Sequence, residues 1–409
     1  MKLMRGLNVL KKLFLLCSVV AASWMHADEL ANILSDNKNK IFDYQFENNE
    51  LESDMLSRSW MNPVKVQYRN SLAEQFMDDT RNTKIGSWNV IIDQPIFRSG
   101  GIYYGIKYAD ALRDANSAEI MLQKRTMIAN AVSILFNLKK TQLEAKKLNY
   151  QVKNDAIDIK QKRDSYDAGV LDSSFLDQAI LKKSQDETAQ LQLEITQSEL
   201  MQQFAALSTK DPKDLALPKL TLMSKSKYSA DNLELKRDQL RAKQSNYNQK
   251  VTWAKYLPAV SLQGQYTDSD INPLWDNGSL KEKYYTYGLT VSMPIDVNMF
   301  ADIEASKVKK LQAAVEAIDR KETVGEEYDW IANSLGILEK KINLAQKDAK
   351  VYQNLYRLTK DLAKAGDKTP LDAEVMQNSL QIRNLDQQIY EIEKQLLLLK
   401  LYARMDHAV

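Results

Sequence analysis

The chain has 409 residues, with 56 basic and 54 acidic side chains, a net charge of +2, and 44% hydrophobic residues. Charged residues make up 27%, which suits a folded protein and excludes a bundle of membrane-spanning helices. The 12 Gly and 8 Pro leave little room for long loops.

Residues 1–27 read as a secretory signal. Lys2, Arg5, Lys11 and Lys12 form a basic start, and Leu13 to Ala22 is an apolar run too short to span a bilayer as a helix. Cleavage falls between 22 and 27, after Ala22, Ser23 or Ala27. Leu16 stands before Cys17 where lipoprotein processing needs a small residue, which argues against a lipid anchor. Loss of residues 1–27 takes four basic and no acidic side chains from +2 and leaves −2. That balance argues against nucleic acid as a partner. It also removes the one Cys, so no disulfide or thiol chemistry is expected. His26 lies at the signal boundary and His407 near the C-terminus, which leaves no His triad or His-rich metal site. With no glycine-rich phosphate loop either, neither an enzyme nor a cofactor is expected.

The first repeat is placed at 28–207. Its opening helix is expected over about 29–60. After Pro63, Val64, Val66, Tyr68 and Leu72 alternate with Lys65, Gln67, Arg69 and Ser71, and Trp88, Val90 and Ile92 alternate with Ser87, Asn89 and Asp93. Period two marks strands with one apolar and one polar face, predicted over about 63–73 and 85–97. Each is long enough to cross a bilayer as a tilted strand. From 102 to 168 there is no Pro, and a helix is predicted that would be ~100 Å long. Ala131, Leu138, Ala145, Val152, Ile159 and Tyr166 mark a heptad stripe along it, which predicts coiled-coil packing. The run breaks at Ala168-Gly169. A return helix is expected over about 173–207, with Leu193, Leu200 and Leu207 in its stripe. Ser173 and Ser174 are candidates to cap it.

Residues 208–228, with Pro212 and Pro218, read as a linker at mid-height on the outside of the helical part, with room for a short strand at Leu217 to Leu222. The second repeat, 229–404, restates the first. A helix is expected over about 229–256, and strands over about 259–268 and 284–296. In the last, Tyr285, Tyr287, Leu289, Val291, Met293 and Ile295 alternate with Thr286, Gly288, Thr290 and Ser292. Helices follow over about 298–365 and 371–403, broken at Ala365-Gly366. The stripe Trp330, Ile337, Leu344, Val351, Leu358, Ala365 repeats the earlier one at an offset of 199. Pro63 and Pro258 are 195 apart, Pro95 and Pro294 are 199, and Gly169 and Gly366 are 197. Thr369 can cap the last helix, with Pro370 in its first turn.

Trp88, Tyr266, Tyr285 and Tyr287 lie on the apolar faces, where an interfacial aromatic girdle is needed against lipid. Four strands cannot close a pore, and an open strand edge cannot face lipid, so oligomers are required. Three copies would give twelve strands.

The duplicated plan, the junctions Gln94-Pro95-Ile96-Phe97 and Met293-Pro294-Ile295, and the two helix turns together resemble the TolC-type outer-membrane efflux protein family. The first turn runs from Tyr166 through Gly169, Ser173 and Ser174 to Ala179, and the second from Lys364 through Gly366 and Thr369 to Ala373. The resemblance covers nearly the whole exported chain. It implies a mainly α-helical fold with membrane β-strands. Trimers would form a 12-stranded β-barrel on a long α-helical coiled-coil barrel, in the outer membrane of a Gram-negative bacterium and reaching into the periplasm. The chain would be a passive exit duct of a tripartite efflux or type I secretion system. Gly169, Ser173, Ser174 and Gly366 would belong to tips that dock a periplasmic adaptor protein and, through it, an inner-membrane transporter. Family members carry acidic rings at this constriction. Asp372 matches one position, the second falls on Thr369, and Asp367 is a substitute. The alternatives are a periplasmic adaptor, which would show one hairpin flanked by compact β-domains, or a structural coiled-coil envelope protein, which would not need four bilayer-length strands.

Overall fold

The computed structural model describes residues 33–76 and 80–406. The segment read as a signal, 1–27, and His407 lie outside them. In chain order the elements are α1 (Asp36–Ser57), β1 (Lys65–Phe76), β2 (Thr80–Phe97), α2 (Gly101–Asp167), α3 (Ser173–Ala205), α4 (Lys225–Asp231), α5 (Leu233–Ala254), β3 (Ala259–Pro273), β4 (Leu280–Ser292), α6 (Met299–Ala365) and α7 (Pro370–Tyr402). Two strands precede a 67-residue helix and a 33-residue helix, and the same lengths recur after β4.

Two compact units emerge. One gathers Tyr44–Glu119 and Glu234–Lys321. Its sheet is antiparallel, in the order β1-β2-β3-β4, so β1 and β4 are both edges. Strands β2 and β3 run further than alternation alone signals, because their outer ends keep pairing through Thr83 and Pro273. Beside the sheet, α1 lies against α2. Buried Asn49 donates to Arg113 O and Ser117 Oγ, both at 2.9 Å, and Ser53 Oγ donates to Ala109 O at 3.2 Å. Ala109, Ala111 and Ala115 of α2 are buried as well. Asp238 on α5 accepts from Arg237 and from Arg320 on α6, at 2.7 and 2.9 Å. Burial pushes this carboxyl up, but the two guanidiniums outweigh it and hold it below the usual range.

The other unit comprises residues 33–43, Ile120–Leu233 and 322–406. Leu135, Phe136, Phe204, Tyr228, Val324, Ile331, Leu335, Leu398 and Leu401 share its core. The two heptad stripes meet different fates. Ala131 and Leu138 on α2 are buried, whereas Trp330, Ile337, Leu344, Val351 and Leu358 on α6 are each more than half exposed. The buried face of α6 is instead Val324, Ile331, Leu335, Ile342 and Ala345.

The segment at Leu217 to Leu222 forms no strand. Side chains satisfy its backbone instead. Leu220 N donates to Gln395 Oε1 at 2.7 Å, Gln395 Nε2 returns to Leu220 O at 3.3 Å, and the Tyr402 hydroxyl donates to Thr221 O at 2.9 Å. The helix expected over 229–256 is likewise two pieces. Asn232 sits in an antiparallel bridge with Met405, and Leu233 N donates to Arg404 O at 2.8 Å. These pairings take Asn232 out of helical geometry and separate α4 from α5.

Candidate functional site

Two places gather the residues singled out above. The first is one face of the sheet. In the register, Val66, Val90, Tyr266 and Tyr285 form one cross-strand row, and Tyr68, Trp88, Asp268 and Lys283 form the next. Rings pair along these rows, with centroids 5.4 Å apart for Tyr266 and Tyr285 and 4.9 Å for Tyr68 and Trp88. Tyr287 stands opposite Gly264, on the same face, and is 87% exposed. Trp88, Tyr266, Tyr285 and Tyr287 therefore share one surface. Below them Leu262, Leu289, Val260 and Val291 continue the apolar band, all exposed except half-buried Val260. Tyr285 to Val291 covers ~20 Å along the strand. The row that holds Tyr68 and Trp88 also carries charge, with Lys283 Nζ at 2.9 Å from Asp268. A band of apolar side chains bordered by rows of aromatic rings and charge is the kind of surface a bilayer requires.

The opposite face is polar. Asn89 Oδ1 accepts from Thr267 at 2.9 Å and from Gln265 at 3.3 Å, and Thr290 donates to Gln263 at 2.8 Å. Alternation places every second residue here, so the polar ladder and the apolar band are one pattern seen from two sides.

The second place is the pair of helix turns. Gly169 has φ 72° and Gly366 has φ 88°. At the first turn Val170 N donates to Ser165 O, and Gly169 N to Tyr166 O, both at 2.9 Å. At the second, Asp367 N donates to Leu362 O at 3.0 Å and Gly366 N to Ala363 O at 3.4 Å. Both helices thus end in the same left-handed glycine motif. The return helices start differently. Thr369 caps α7 in a reciprocal box: its hydroxyl accepts from Asp372 N at 3.1 Å, and Asp372 Oδ2 accepts from Thr369 N at 3.0 Å. Ser173 and Ser174 do not cap α3. Asp172 does, accepting from Ser174 N at 2.8 Å, because its carboxylate is a stronger acceptor one position earlier. The two serines are the first helical residues.

Asp372 also accepts from Gln161 of α2, at 2.9 Å. The backbone hydrogen bond from Thr369 is the main cause that holds this carboxyl below its usual range. Both its oxygens are therefore engaged. Asp367 is exposed in the turn. The structure brings Asp372 and Thr369 together and links them to the first hairpin through Gln161.

One carboxyl pair escaped the sequence. Asp155 on α2 and Asp186 on α3 face each other beside Lys182, whose Nζ lies 2.8 Å from Asp186 and 3.9 Å from Asp155. Burial first, and then the neighbouring Asp186, raise the Asp155 carboxyl to about 6. The signal was present: both residues are equidistant from the turn between Val170 and Leu171, so a hairpin must bring them level.

Neither a family model nor a curated protein matches the chain. Solved structures do. A structure of the CmeC outer membrane channel of Campylobacter jejuni superposes with a TM-score of 0.74 at 14% identity, over 93% of this chain and 85% of that one. The outer-membrane channel OprN gives 0.75 at 16%, over 93% and 89%. The outer membrane protein VceC of Vibrio cholerae gives 0.70 at 14%, over 94% and 97%. Over more than nine-tenths of its length, then, the chain has the TolC-like fold that these outer-membrane proteins share.

Proposed function

We propose that the chain is the outer-membrane exit duct of a tripartite efflux or type I secretion system, and a passive conduit rather than an enzyme. The observation that carries this is the sheet. It has an exposed apolar band on one side, a polar ladder on the other, and two unpaired edges. An unpaired edge cannot stand in hydrocarbon. Three copies, each pairing β4 to the next chain's β1, would close twelve strands with the polar ladder lining the lumen. The exposed α6 stripe from Trp330 to Leu358 supports the same reading, since a seam of heptad residues needs a partner helix to cover it.

The elements of 28–207 and 229–404 then act as two copies of one unit, with 208–228 between them. The aromatic rings anchor the barrel in the outer membrane, and the helical part occupies the periplasm. The turns at Gly169 and Gly366 form the lower end, with Asp372, Thr369 and Asp367 at the constriction. A periplasmic adaptor and an inner-membrane transporter dock there and supply the energy.

The test is extraction in mild detergent, electron microscopy, and conductance in planar bilayers. Hollow three-fold particles that conduct ions support the duct. A monomeric particle recovered without detergent returns the chain to an adaptor or structural role.

A further inference from the structure

Where the sheet meets the helices, the structure holds a cavity of about 660 Å³. Its walls come from five elements of one compact unit, α2, α5, β3, β4 and α6, and the turns between them. Ala259, Ser261 and Ser292 contribute from the polar face of the sheet, and Val251, Leu257 and Met293 add apolar surface.

Three charged side chains reach this cavity: Arg98, Lys255 and Asp302. Asp302 is already neutralised. It accepts from the Tyr256 hydroxyl at 2.7 Å and lies 3.4 Å from Lys255 Nζ. No carboxylate among the described residues pairs with Arg98. The surplus charge in the cavity is therefore one guanidinium. Gly101, the first residue of α2, also lines the cavity and brings the positive end of that helix to it.

The turn that presents Arg98 is fixed tightly. Ser99 adopts φ 46°, a left-handed conformation unusual for a residue with a side chain. Its hydroxyl donates to Pro258 O at 2.6 Å, and Gly101 N donates to Arg98 O at 2.7 Å. These bonds fix the backbone from which Arg98 lines the cavity.

We infer that this cavity binds an amphiphilic monoanion. The acidic head pairs with Arg98, with bidentate hydrogen bonds available from the guanidinium to a carboxylate or sulfonate. The apolar body lies against Val251, Leu257 and Met293. A site with apolar walls and a few convergent polar groups is the usual form of a small-molecule pocket. Its existence is independent of the duct; its consequence, a lumenal way-station that favours anionic amphiphiles, rests on the proposed function.

The test is equilibrium dialysis of naphthalene-2-sulfonate against the full-length protein in a neutral detergent, corrected with empty micelles. The expected result is one bound anion per chain, weakened about tenfold or more by Arg98→Gln, weakened less by Arg98→Lys, which keeps the charge and loses the bidentate pair, and unchanged by Arg357→Gln, 55 positions further along α6 than Asp302. Neutral 2-naphthol should bind no better than to micelles. Equal retention by Arg98→Gln, equal binding of 2-naphthol, or full competition by an equal concentration of inorganic sulfate would each overturn the inference. Planar-bilayer conductance separates the two readings. Binding without conductance leaves the site standing and removes the duct, while conductance without binding does the reverse.

Discussion

Gln161 and Asp372 stand 211 positions apart in sequence and meet at 2.9 Å, so the end of one long helix is tied to the start of the last. Asp372 closes the capping box of α7 with its other oxygen. One carboxylate thus holds a helix terminus and a cross-hairpin bond at once. Asp372→Asn should destabilise this turn by about 1 kcal/mol, the usual cost of a weakened cap. Amide exchange across 367–375 should speed up several-fold, and cation selectivity in planar bilayers should fall. The carboxyl is held below its usual range, so its contribution is present above the unfolded carboxylate value and is lost as pH falls through the lower folded one. Unchanged exchange and selectivity would remove Asp372 from both roles.

The glycines give a prediction of opposite sign within one chain. Gly169→Ala and Gly366→Ala place a side chain in a left-handed conformation and should each cost about 1–2 kcal/mol. Gly105 lies inside α2, and no heavy atom stands within 4 Å of the position an alanine methyl would take. Gly105→Ala should therefore gain about 0.5–1 kcal/mol. Denaturant midpoints in detergent measure all three. A turn variant as stable as the parent would mean that the left-handed geometry is not required.

Asp155 titrates in an unusual window. Its folded value, about 6, lies above the unfolded one, so the folded state binds more protons between about 4 and 6. Stability should therefore fall as pH rises through that range, with the full penalty present above it. Asp155→Asn should remove the pH dependence and raise stability at pH 7.5 by on the order of 1–2 kcal/mol, with little effect at pH 3.5. The groups that set this are Asp186 and Lys182 on α3 and Asp158 on α2. A variant whose pH profile parallels the parent's would sink the assignment.

Neighbouring residues on β4 should differ sharply in lipid. Leu289 lies in the apolar band, and Thr290 on the polar face hydrogen-bonds Gln263. Leu289→Arg should cost about 2–4 kcal/mol in a bilayer, and Thr290→Arg far less. Urea titration of protein folded into vesicles separates the two. Equal costs would show that neither face meets hydrocarbon.

Much of this architecture is written locally. The 67-residue helices follow from long stretches without Pro, and their ends from a glycine that alone tolerates the turn. Alternation at Tyr285, Tyr287 and Leu289 suffices to name the apolar face. What sequence alone left unread depends on partners far along the chain. Asn232 looks helical until Met405 is beside it. Leu217 to Leu222 looks like a strand until Gln395 takes its backbone bonds. Trp330 and Ala131 occupy matching stripe positions, and nothing in their spacing says that one is exposed and the other buried. At the tip, Ser173 and Ser174 are good caps in isolation, and Asp172 wins by standing one residue earlier with a charge.

The sheet's two free edges also constrain biogenesis. A lone chain carries the apolar band of β4 and the bare rims of β1 and β4 together. Hydrocarbon accepts the first and rejects the second. For the duct proposed above, any route into a bilayer must therefore join chains before or during insertion, so that assembly, more than the strength of any single contact, would set how quickly newly made copies reach the membrane.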